Sequence, residues 1–130
     1  MKLNGNAIIA TPKILKENPE AVKAFLIACA KGAKDVMADP AAAIEAVKAR
    51  DGIINATLET RRLQLAIDTV INSPSAHAEG FGQVDAARLS LMASQVSDAF
   101  NTKSRVKAAD AWSSSYLPSA ATLNVLPKLK

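Results

Sequence analysis

Residues 11–44 read TPKILKENPEAVKAFLIACAKGAKDVMADPAAAI. Three helix starts are packed into this stretch: Thr11-Pro12, Asn18-Pro19 and Asp39-Pro40. A Thr, Asn or Asp side chain can accept a hydrogen bond from an orphan N–H of a first helical turn. Proline directly after it loses nothing there, because its missing N–H would have been unpaired. The spacing therefore predicts a short helix over 12–16, a long one over 19–38 and a third over 40–50. Within the long helix Val22, Phe25, Leu26, Cys29, Ala33, Val36 and Met37 recur at steps that trace one face of a 3.6-residue period. Gly32 interrupts it and is read as a place where a neighbouring element comes close. Ahead of the helices, Asn6-Ala7-Ile8-Ile9-Ala10 is the best candidate strand. A single strand must borrow an edge from somewhere to satisfy its backbone.

Working towards the C-terminus, Ile44 and Val47 are the inward positions of the third helix, and Asp51-Gly52 ends it. A fourth main helix is expected over 56–71, capped by Asn55 or Thr57. Leu63, Ala66, Ile67, Val70 and Ile71 form its apolar stripe. Residues 73–84, SPSAHAEGFGQV, read as one long irregular loop. Asp85 caps a further helix to about Asn101, with Leu89, Met92, Val96 and Phe100 on one side. A last short helix is expected over 107–116, carrying Trp112 and Tyr116. The chain then divides into residues 1–118 and an extended tail, 119–130, with Leu123, Val125 and Leu126 as its docking positions.

The 130 residues point to one domain. Only 4% are aromatic, so packing rests on Ala, Leu, Ile and Val. Alanine favours helix but buries little area. The net charge of +4 comes from 16 basic and 12 acidic residues spread along the chain, with no basic stripe, so nucleic acid is not an expected partner. Cys29 is the single cysteine, which excludes an internal disulfide; its place on the apolar stripe favours packing. No apolar run is long enough for a membrane span. No signal-peptide pattern comes after Met1, so the chain as written would stay in the cytoplasm.

Chemistry-bearing patterns are sparse. His77 is the only histidine and sits in the expected loop near Glu79, which argues for solvent exposure rather than a metal site. Gly80-Phe81-Gly82 is too short for a nucleotide fingerprint and is suited to a tight turn. Ser113-Ser114-Ser115 lacks the surroundings of a nucleophile. Glu59 and Arg62 are spaced for a surface pair. These features predict no enzyme, no catalytic residue, no metal and no cofactor.

Several segments in order resemble one family: Gly5-Asn6-Ala7-Ile8-Ile9, the run Lys16-Glu17-Asn18-Pro19-Glu20-Ala21-Val22-Lys23-Ala24-Phe25-Leu26, Lys31-Gly32, Ala38-Asp39-Pro40, Glu59-Thr60-Arg61-Arg62-Leu63, the run from Gly80 to Leu89 (GFGQVDAARL), and Tyr116-Leu117-Pro118. Together they are similar to the C-terminal part of the solute-binding proteins of ABC importers, in the branch that handles nitrate, sulfonates, bicarbonate and thiamine-pyrimidine precursors. The resemblance implies a periplasmic protein of two α/β lobes, closing on a solute and docking on a membrane permease. It implies a mainly α fold here: about five helices and one N-terminal strand, as a partial periplasmic-binding-protein type II lobe completed by self-association. By the same resemblance Asn4, Asn6 and Phe81 are the ligand-binding candidates. Read from their residue types alone, they are a turn polar residue, a strand-start polar residue and a packing aromatic. The expected function is that of a substrate-binding fragment for a small anionic or pyrimidine-like solute, not transport-competent alone. The competing expectation is a stand-alone helical oligomeric interaction module. A homo-oligomer is expected because the stripes of residues 22–37 and 63–71 would otherwise stay open.

Overall fold

The computed structural model describes residues 5–127, and these fold as eight α-helices with no strand among them. α1 spans Pro12–Glu17, α2 Pro19–Ala38 and α3 Pro40–Arg50. α4 spans Ala56–Ala66 and runs on into a π-helical turn, Ile67–Ile71. α5 spans Pro74–Glu79, α6 Ala86–Ala99, α7 Ala108–Ala111 and α8 Ala120–Leu123. The helices α1 to α4 pack each on the next, α8 returns to α2, and α7 packs on α6.

The mainly helical expectation holds, but its N-terminal strand does not. Asn6–Ala10 has no regular secondary structure, and Ile8 and Ile9 stand 52% and 92% exposed. A strand exists only as part of a ladder, and no described residue offers this segment an edge. Alternating apolar residues alone could not supply one.

The helix starts follow the capping logic with one exception. The Thr11 hydroxyl accepts from the Ile14 N–H at 3.4 Å, and the Asp39 carboxylate from the Ala42 N–H at 3.0 Å. Asn55 caps α4 through the Leu58 N–H at 3.0 Å, and Asp85 caps α6 through the Arg88 N–H at 2.8 Å. Asn18 makes no side-chain cap; its carbonyl takes the Ala21 and Val22 N–H groups instead.

One loop expectation and one helix expectation give way. Residues 73–84 are not one loop, because Ser73-Pro74 opens α5 by the same device as Thr11-Pro12, with the Ser73 hydroxyl 3.3 Å from the Ala76 nitrogen. The helix expected over 107–116 closes after Ala111. Trp112 swings to φ −135°, ψ 139°, and the Ser113 and Ser115 hydroxyls bond locally at 2.7 Å. Such serine contacts compete with a helical ladder.

Burial is thin. Ala30, Leu123 and Val125 form the core cluster, with Met37, Phe81, Leu117 and Leu126 packed against it. Ala30 lets α8 lie close on α2; in an alanine-rich helix nothing in the sequence marks it out. Ile44 and Ile67 are the other buried hydrophobic residues among those described. Several stripe positions miss the interior: Phe25, Val47, Val70, Val96 and Phe100 are exposed. For Val70 the cause is the π turn, in which the Asn72 N–H reaches back five residues to the Ile67 carbonyl at 2.8 Å. The wider turn rotates its later side chains out of the α-helical phase. Gly32 also differs from expectation, since a Cβ there would meet nothing within 4 Å. The chain exposes 9767 Å², whereas a compact chain of its 13.6 kDa would expose about 6,600 Å².

Candidate functional site

An open groove of ≈ 590 Å³ lies beside α2. One wall is N-terminal: residues 6–10, then Pro12 and Leu15, with Val22, Leu26 and Cys29 of α2 behind them. A second wall comes from two later segments, Phe81-Gly82 and residues 109–113 with 116–118. Local chain geometry builds that second wall. Gly80 and Gly82 take φ of 103° and 81°, values that carry no penalty for glycine alone. The Gln83 N–H closes the turn on the Gly80 carbonyl at 3.1 Å. Phe81 is thereby folded back onto the Ala30–Leu123–Val125 cluster. Further on, the Leu117 N–H donates to the Ser114 carbonyl at 3.0 Å, a turn that brings Tyr116 and Leu117 to the groove.

Of the three candidates from the resemblance, Asn6 and Phe81 both line this one groove, and Asn4 lies outside the described residues. Phe81 serves two purposes at once, as a packing residue of the core cluster and as groove lining. By sequence Trp112 and Tyr116 are only the apolar face of a terminal helix, yet both line the groove. The chain has five aromatic residues, so three of them meet in this hollow. Their clustering over 81–116 in so aromatic-poor a sequence is the signal that could have found them.

Asp110 is the only charged residue lining the groove among those described. Ion pairs lie elsewhere on the surface: Lys23 with Glu20 at 2.7 Å, Arg62 with Glu59 at 2.7 Å and Arg105 with Asp98 at 2.5 Å. A second hollow of ≈ 540 Å³ lies between α5 and α8 and includes His77 and Glu79. There His77 is exposed and its Nε2 sits 2.6 Å from the Asn72 Oδ1. No group of three or more His, Cys, Asp or Glu residues among those described is placed to hold a metal ion. No helix among them is long and apolar enough to cross a membrane.

Residues 1–43 match the NMT1/THI5-like family model. That is 43 of 130 residues, and it supports a relation to the solute-binding proteins over this N-terminal portion. No curated protein and no solved structure matches the chain. The matched portion takes in residues 6–10, α1, α2 and the start of α3; of these, residues 6–10, α1 and α2 line the groove. The aromatic wall lies beyond it.

Proposed function

We propose that this chain is the helical, solute-contacting part of a substrate-binding component of an ABC importer, for a small anionic or pyrimidine-like solute, and that it does not transport alone. The observation that carries this reading is a coincidence of place. The family match covers a segment that lines the groove, and Asn6 of that segment and Phe81 of a later one both line it. A hollow of ≈ 590 Å³ falls in the size range of small-molecule sites. The reading is one of binding without turnover, since Asp110 has neither a second carboxylate nor a histidine beside it in the described lining. Periplasmic location and docking on a membrane permease belong to the same proposal.

A thermal-shift screen against pyrimidines, nitrate, sulfonates and bicarbonate tests it. A true ligand at one hundred times its Kd stabilises by about 2.7 kcal/mol through mass action. One class of solute should raise the melting temperature and the others should not. A flat response across all four would remove the reading.

The second reading, a helical module that associates with copies of itself, is favoured by a separate observation. Phe25, Ile53 and Phe100 stand 57%, 94% and 79% exposed. Large apolar side chains left open in this way mark interaction surfaces.

A further inference from the structure

We infer that α6 is the dimerisation face of this chain: it lies antiparallel on α6 of a second copy, with Leu89, Met92, Val96 and Phe100 along the seam. The inference rests on the self-association reading and names its surface. These four residues recur at steps of three, four and four, which trace one stripe of a 3.6-residue period. Val96 and Phe100 are exposed on it. Val106, also exposed, lies beside it, its nitrogen 3.5 Å from the Ser97 hydroxyl. α2, α3 and α4, of 20, 11 and 11 residues, pack each on the next. The helix packed on the 14-residue α6 is α7, of four residues. The surface to be covered is ample: 9767 Å² is exposed against about 6,600 Å² for a compact chain of this mass. That excess is several times the roughly 800 Å² that each partner gives to a standard stable interface. The ends of the stripe select a second copy as the occupant. Asp85 stands four positions before Leu89 and Lys103 three after Phe100, both exposed, so an acid marks one end and a base the other. Laid antiparallel, Leu89 meets Phe100 of the second copy, Met92 meets Val96 and Asp85 meets Lys103. The patch is then complementary to itself, as a two-fold interface demands. A parallel pair would set Asp85 against Asp85 and Lys103 against Lys103, like charge on like. A lipid surface is the poorer match, because a helix lying in a membrane interface is rich in Lys and Arg, and α6 has Arg88 as its one basic residue.

Light scattering coupled to size exclusion, run on the 130-residue chain over a range of concentrations, should give twice the 13.6 kDa mass of one copy. Val96→Glu and Phe100→Glu should each weaken the dimer at least about tenfold, because the seam would bury an unpaired carboxylate. Phe25→Glu, at an exposed apolar residue of α2, should leave it unchanged. Circular dichroism checks that the variants keep their helices. The direction of pairing is read from introduced cysteines in a Cys29→Ser background, since Cys29 is the only native one. When chains carrying Leu89→Cys are mixed with chains carrying Phe100→Cys and mildly oxidised, the unlike disulfide should exceed either like one, as resolved by mass. Like-with-like disulfides in excess would overturn the antiparallel seam. A monomer at every concentration overturns the inference and the self-association reading together. Association that survives both α6 variants, or that Phe25→Glu abolishes instead, overturns the inference and leaves that reading standing. Flotation with phosphatidylglycerol vesicles that Phe100→Glu abolishes, in a chain that stays monomeric, would assign the stripe to a lipid surface and overturn the inference as well.

Discussion

The α2–α8 contact and the α6 region are held together by different physics. At α2, residues almost a hundred positions apart meet: Ala30 is 2% exposed, Leu123 4% and Val125 7%. The glue there is apolar burial, and the last helical turn is what supplies it. At α6 the fastening is polar and local. The buried Ser97 hydroxyl donates to the Ala93 carbonyl at 2.8 Å and lies 3.5 Å from the Val106 nitrogen. Arg105 reaches back to Ser94 at 2.8 Å and to Asp98 at 2.5 Å. Meanwhile Leu91, Val96, Phe100 and Val106 around it are exposed. A chain with little apolar volume per residue can close one real cluster. The remainder is organised by hydrogen bonds that keep a loop in place without burying much surface.

Three substitutions would break or sharpen that contrast. Leu123→Ala strikes the apolar side and should cost about 2–5 kcal/mol, because a nearly buried leucine loses both its transfer energy and its packing. Chemical denaturation measures this, and a loss below one kilocalorie would show that the cluster does not hold α8 to α2. On the polar side, Ser97→Ala removes both hydrogen bonds of the buried hydroxyl, the one to Val106 long, and should cost about 1 kcal/mol. Its amide-exchange footprint should be confined to α6 and the loop through Val106; a footprint that spreads to α2 would erase the distinction between the two regions. Smallest of all, Phe100→Ser should change stability by no more than about 0.5 kcal/mol, since the ring is already in solvent. The same variant should reduce any self-association seen by light scattering, and a large destabilisation would mean that Phe100 is packed after all.

Much of the helical frame is legible from residue types alone. Thr11, Asp39, Asn55 and Asp85 cap the helices that their positions predict, because this interaction spans three residues and needs nothing from afar. Ser73-Pro74 carries the same signal, hidden in a stretch that looks loop-like for its Ser, Gly and Ala content. Stripe assignments fare less well. They presume a neighbour on the apolar side, and for Phe25, Val47 and Phe100 no described element takes that place. The groove is half visible. Asn6 and Phe81 come from the family resemblance, whereas Trp112 and Tyr116 depend on a helix ending four residues in, where serine hydroxyls bond to one another.

What the sequence determined by itself is the beginnings of α1 to α4 and of α6, the largely helical character and the shortage of bulky core residues, since each depends on neighbours within a turn or on composition. Only the tertiary structure decided that Asn6–Ala10 is not a strand, that Ala30 is the pivot for α8, and that three aromatic residues and Asp110 share one hollow. Those outcomes hinge on segments far apart in the chain. Backbone pairing, close helix approach and groove lining all require a second surface, and residue spacing along one segment carries no information about which surface arrives.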